Sequence, residues 1–249
     1  MSLLCTIGLD VDTSLSPLQR DLIAMLDATR AAERDLFGEI DSGARETAGA
    51  IGEWSAKDVL AHLAAWRAIE ARRIAARSEP ANGLDASDPA LDEPIDGSNA
   101  RLHDQQAGWT WKAVAGEADA SIEALIAAVR RSSTDVLCEC DDGSVAGIGA
   151  NGVNHAVGHL PEIAKLAGDR TRFGAFADEV EAILGAGHVP PRDSGVILYN
   201  IACARSLAGE LDDARRLLRA AFARRHELRE LAPNDPDLAA LGDEVLSLA

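Results

Sequence analysis

Apolar positions along the chain recur at helical spacing. Leu18, Leu22, Met25, Leu26, Leu36, Phe37 and Ile40 follow a three-to-four residue period, which predicts a first helix over about 17–40. Ser16-Pro17-Leu18-Gln19 supplies its start, with a capping Ser, a Pro at the first helical position and a Gln three residues after the cap. Ser55-Ala56-Lys57-Asp58 opens a second helix in the same way, with an acid in its first turn. It runs to about Arg77 and carries Val59, Leu63, Trp66 and Ile74. Ser78 to Gly97 holds three prolines, four aspartates and two glutamates without a period, and reads as a loop long enough to be a lid or a mobile excursion. A third helix is expected from about Asn99 to Arg131, broken near Gly108, with Trp111, Val114, Ala118, Ile122, Leu125 and Val129 as its buried stripe. Asp141 to Gly152 reads as a Gly-rich turn region. A fourth helix covers roughly Val153 to Ala167, closed by Gly168. Beyond it, helices are expected at about 175–185, 194–208, 211–231 and 236–248. The fold class is therefore all-α.

Composition agrees. Of 249 residues, 47 are Ala and only 4% are aromatic, a balance that favours helix over sheet. The net charge of −17 argues against nucleic acid and against anionic membrane surfaces. No apolar run approaches the ~20 residues of a membrane span. Met1 to Pro17 has neither a basic start nor a long apolar stretch, so we expect no secretion signal and a cytoplasmic protein. Cys5, Cys138, Cys140 and Cys203 form no CxxC pair and read as reduced thiols, with a Cys138/Cys140 redox pair as the alternative. The charge is uneven. Residues 1–168 carry 14 basic and 27 acidic side chains, and residues 169–249 carry 10 and 14. That step, at Gly168-Asp169, suggests a domain boundary.

The candidate chemistry is histidine chemistry. Of six histidines, His155 and His159 are four apart on the fourth helix, which places both rings on one face about 5–6 Å apart at Cβ. His62, three residues after Val59 and four before Trp66, points near the buried side of the second helix. Two facing helices can thus offer three imidazoles to one divalent ion and leave a position open for water or substrate. Glu162 follows His159 by three and reads as a fourth ligand, an acceptor orienting a ring N–H, or a general base. Pro161 lies inside the helical pattern and removes the partner of the Val157 carbonyl, suggesting a local kink. Trp66 is placed either to wall a pocket or to fill the core. His103 reaches the site if the long loop folds over it. Trp54 reads as a hydrophobic staple and Asp58 as a helix-dipole acid. Trp109 and Trp111 read as core, and His188 and His226 as surface residues without partners.

Two segments carry a family resemblance. Gly52-Glu53-Trp54-Ser55-Ala56-Lys57-Asp58-Val59-Leu60-Ala61-His62-Leu63-Ala64-Ala65-Trp66 resembles the second-helix signature of the DinB superfamily, nearest its ClbS/DfsB branch. Asn154-His155-Ala156-Val157-Gly158-His159-Leu160-Pro161-Glu162-Ile163 is similar to that branch's fourth-helix segment. The resemblance covers residues 16–168 and implies an up-down-down-up four-helix bundle over residues 1–168. It also implies a divalent ion such as Zn²⁺ or Ni²⁺ held by His62, His155 and His159. Relatives include transferases and isomerases that use the low-molecular-weight thiols bacillithiol or mycothiol; the namesake of the ClbS/DfsB branch instead hydrolyses a strained ring of a genotoxin.

Gly195 to Ala221 resembles a tetratricopeptide repeat, with Leu198, Ile201 and Ala202 on its first helix and Ala214, Leu218 and Ala221 on its second. Where the repeat expects Pro, the chain has His226 and runs on to Pro233. One repeat does not make a free-standing solenoid, so residues 169–249 are expected to lean on the bundle or on a partner. The expected function is a metal-dependent transferase or hydrolase acting on an electrophilic small molecule, for detoxification or resistance. The alternatives are a metal-independent hydrolase or sequestering protein using the same pocket, and a non-enzymatic module whose tail binds a protein partner or a second copy as a homodimer.

Overall fold

The computed structural model describes residues 14–49, 53–78, 95–138 and 144–247. The protein is all-α, with no strand among the described residues. In chain order the α-helices are α1 (Pro17–Glu39), α2 (Ser42–Arg45), α3 (Ala56–Ser78), α4 (Ile95–Gln106), α5 (Trp111–Arg131), α6 (Thr134–Cys138) and α7 (Ser144–Gly147). A π-helical turn (Ile148–Asn154) then leads into α8 (His155–Ala167). The rest is α9 (Arg170–Gly185), α10 (Pro191–Leu207), α11 (Leu211–Arg224), α12 (Leu228–Leu231) and the 3-10 segments Ala232–Asn234 and Pro236–Ser247. None of these helices is long and apolar enough to cross a membrane.

The expected caps form. Ser16 and Gln19 make a reciprocal capping box at the start of α1, and the Gln19 amide reaches across to donate to the Val129 and Ser132 carbonyls at the end of α5. The backbone N–H of Asp58 donates to Ser55 Oγ, while the Ser55 N–H donates to the Asp58 carboxylate. Asp58 is thus the helix-start acid that its position suggests.

The break expected near Gly108 is present: α4 ends at Gln106, and Thr110 caps a new start at Trp111 by accepting from the Ala113 N–H. Three other expectations are corrected. The tail helix expected over 211–231 stops at Arg224, where Arg225 turns extended, and 236–247 is 3-10 rather than α, kinked at Gly242. The Gly-rich stretch is also no turn from Ser144 onward. Its glycines serve close approach: a Cβ at Gly152 would lie 2.6 Å from a Leu26 methyl, and one at Gly147 would collide with the Glu70 carboxylate. At these two positions the backbone can therefore approach α3 and α1 closely. Of the loop expected over 78–97, residues 79–94 lie outside the described residues, as does Cys140; Ser78 closes α3 and Ile95–Gly97 open α4.

α3 packs along α5, and α1 lies against α5, α8 and α9. Gly168, at φ 77°, closes α8, and Asp169 caps α9 by accepting from the Thr171 N–H. One buried apolar cluster runs from α1 through α8 into α9–α11 without a break at that turn. In the tail, α10 and α11 form a hairpin turned at Gly209, with φ 82°. Leu198, Ile201, Ala202, Ala214, Leu218 and Ala221 are all buried in it. Gly195 lets α11 come close, since a Cβ there would stand 2.9 Å from Arg225 Cβ.

Candidate metal centre

The stripe that buries α3 also carries the first imidazole inward. Val59, Leu63, Arg67, Glu70 and Ile74 fall on one side of the helix, and His62 and Trp66 lie at its edge facing α8. From α8, His155 and His159 project toward His62 from successive turns. Ring centroids are 4.5 Å apart for His62–His155, 5.3 Å for His155–His159 and 5.6 Å for His62–His159. One ligand nitrogen from each ring lies within 4.8 Å of the other two. The Nε2 atoms of His62 and His155 are 2.8 Å apart, so one ring donates to the other.

Burial keeps the three rings uncharged. Desolvation, reinforced by the neighbouring imidazoles, pulls His62 down to about 3. His155 falls to about 3 through desolvation, the nearby His159 and the Arg67 charge. His159 is lowered by desolvation. Neutral imidazole is the ligating form. The Nδ1 atoms of His62 and His155 are buried without a hydrogen-bond partner, so the pair is incompletely satisfied as a purely structural element. Three converging neutral nitrogen donors fit a first-row divalent ion such as zinc.

Aromatic rings enclose the cluster. Trp54 meets His62 edge-on at 4.8 Å, and His103 stacks on Trp54 at 5.6 Å. Trp66 stands 6.5 Å from both His62 and His155, and its Nε1 donates to Asn99 Oδ1 on α4. Trp66 is also buried, packed with Ile69 and Leu102, so it borders the imidazoles while filling a small apolar cluster. His103 is one ring removed from His62 and lies 3.8 Å from the Asp58 carboxylate.

Glu162 is not brought to the imidazoles. Its side chain is 58% exposed, with Lys165 Nζ at 3.9 Å, and it lines a groove on the α10 side of α8. The helical projection puts Glu162 in the same arc as His159, but α8 buries Ala156, Leu160 and Ile163, and the carboxylate stays at the hydrated edge of that arc. Two further expectations change. Trp54 is part of the ring cluster as well as partly packed on the core, and His188 has a partner in Asp21, at 2.9 Å. His226 is exposed, as expected, but it too has a neighbour in the Glu227 carboxylate, at 3.5 Å.

Sequence reasoning passed over the group beneath the site. Arg67 is fully buried, and its Nη1 donates to Glu33 Oε1 over 2.6 Å. The signal was present, since Arg67 falls at i+8 from Val59 in an otherwise inward-facing stripe, where a charge requires a buried partner. Asn99, which ties α4 to Trp66, has no such signal, because its pairing depends on a tertiary contact. No family model, curated protein or solved structure matches the chain.

Proposed function

We propose that this protein is a metal-dependent enzyme of the DinB type, in which His62, His155 and His159 hold one divalent ion. The observation that carries this reading is three converging, neutral imidazoles, His62 buried and His155 and His159 half-buried, with two orphaned ring nitrogens among them. When bound, Zn²⁺ or Ni²⁺ would lower the pKa of a small thiol or of water, supplying a nucleophile near neutral pH. The chain's own contribution is orientation and shielding. α3 and α8 fix the imidazoles, and Trp54 and Trp66 restrict access of bulk water. His103, outside Trp54, is placed to meet a substrate at the entrance. The substrate class is an electrophilic small molecule and the cosubstrate a low-molecular-weight thiol or water, consistent with detoxification or resistance.

Metal analysis tests the reading. Purified protein loaded with Zn²⁺ or Ni²⁺ and desalted is expected to retain about one equivalent through the three-histidine set. His159→Ala is expected to lose that retention while keeping its helical content. A wild-type protein that retains no stoichiometric ion would sink the proposal.

The 2.8 Å contact between His62 and His155 favours a second reading. A hydrogen-bonded imidazole pair can take and pass a proton, as a metal-independent hydrolase requires. Hydrolysis that survives complete chelation and disappears in His155→Gln would select this reading over the first.

A further inference from the structure

A pocket of about 160 Å³ lies between α1, α2 and α5, with Leu60 of α3 in its lining and no residue from α8. Phe37, Leu60 and Trp111 give it apolar walls, and the Phe37 and Trp111 rings stand 6.3 Å apart. Three guanidinium groups line it, those of Arg30, Arg34 and Arg45, against two carboxylates, Glu33 and Asp119. Glu33 is already matched, since its Oε1 accepts from the buried Arg67 over 2.6 Å. Asp119 is shared, because Arg30 Nε and Arg34 Nε donate to the same oxygen, at 3.1 and 2.8 Å. Donors are left over. The Arg34 side chain is 56% exposed, and its two Nη atoms meet no acceptor among the described residues. Arg45 lies 4.6 Å over the Trp111 ring and donates Nη2 to the Gly38 carbonyl over 2.7 Å, which leaves Nη1 without an acceptor among the described residues. In a chain of net charge −17, the pocket is a local excess of positive charge beside an apolar surface.

We propose that this pocket binds a short carboxylate with a flat apolar body. The body lies along Phe37, Leu60 and Trp111, and the carboxylate accepts from Arg34 and Arg45. A guanidinium presents its N–H groups as a planar fork that matches a carboxylate. Arg45 is held ready for it, because the Trp111 ring and the Gly38 carbonyl fix its plane. The volume lies below that of sites for drug-sized ligands, so the body is limited to a single small ring. An inorganic anion would meet the arginines but leave the apolar walls in water. The proposal is independent of metal binding at the histidines.

Calorimetric titration at neutral pH tests it, with the full chain kept metal-free so that no ion at the histidines takes the carboxylate. Benzoate is expected to bind saturably, with a Kd on the order of 1 mM or tighter. Benzamide, which keeps the ring and loses the charge, is expected to bind at least about 10-fold more weakly. Acetate, which keeps the charge and lacks the ring, should weaken by a similar factor. Arg34→Gln removes one exposed ion pair and should retain its helices by circular dichroism. Arg34→Gln and Arg45→Gln are each expected to weaken benzoate binding about 3- to 10-fold. Three results would overturn the proposal: no saturable binding of benzoate, benzamide or acetate binding as tightly as benzoate, or benzoate binding unchanged in a folded Arg34→Gln protein.

Discussion

Helix α8 separates two environments. Toward α3 it presents His155 and His159 to a ring cluster in which His62 is only 6% exposed and proton binding is strongly suppressed. Toward α10 it borders an open groove in which Leu207 remains exposed. The same thirteen residues serve both sides because the side-chain period of a helix assigns neighbours in sequence to opposite faces. The difference is one of preorganisation. The histidine face is held by buried packing on both helices, whereas the groove face is shaped by missing groups: a proline without its N–H and a glycine without a side chain.

The largest expected effect acts on the histidine face. In the unfolded chain these rings take up protons near pH 6.5, whereas in the folded metal-free chain His62 and His155 do so only near 3. Between those values the unfolded state binds more protons, so stability falls as the pH drops from 6.5 toward 3. The loss should reach on the order of several kcal/mol by about pH 4. Urea unfolding of metal-free protein at neutral and acidic pH measures it, and His62→Leu/His155→Leu should lose much less on acidification. Parallel acid losses in the two proteins would mean that the imidazoles are not held neutral.

Next in size is the ion pair below the site. Arg67 and Glu33 are both nearly inaccessible, so Arg67→Met leaves an uncompensated carboxylate and should cost about 3–5 kcal/mol. Arg67→Met/Glu33→Met should recover most of that cost, because well-packed apolar side chains can replace a buried pair. Denaturation midpoints of the single and double variants decide it; a double variant no more stable than the single would show that the pair does more than neutralise itself.

The first of those effects falls where the sequence was legible, and the second falls on a pair it did not reveal. The caps at Ser16 and Ser55, the span of α3 and the pairing of His155 with His159 follow from local spacing, because a helix turns i and i+4 into neighbours wherever it sits. His62 joined them because its helix has a clear buried side. The break between α4 and α5 was half visible in Gly108, but its position depends on Thr110 capping a new helix. The π-helical turn was hidden, since Gly147 and Gly152 read as turn residues until the Glu70 carboxylate and the Leu26 side chain are seen against them. Glu162 shows the converse error. Helical projection gives an angle around the axis, but whether that angle is core or rim is set by the neighbouring helices.

The smallest effects come from a matched pair of glycines, one on each side of the comparison. At Gly152, in the π-helical turn that leads into His155, an added Cβ would stand 2.6 Å from Leu26 Cδ2 and 3.3 Å from Leu125 Cδ2. Gly152→Ala should therefore overpack the core at a cost of about 1–3 kcal/mol. At Gly158, on the groove side, a Cβ meets nothing within 4 Å. Gly158→Ala should instead stabilise the chain by up to about 1 kcal/mol, since alanine gives up less backbone entropy in a helix and strikes nothing. Both changes add one methyl group to neighbouring turns, so propensity alone predicts the same sign for both. Urea midpoints that move in opposite directions would show that packing on the α1 side, and its absence on the α10 side, sets the sign. Midpoints that move together would mean that the π-helical turn relaxes enough to accept the methyl group, and that the histidine face is held less rigidly than its buried contacts imply.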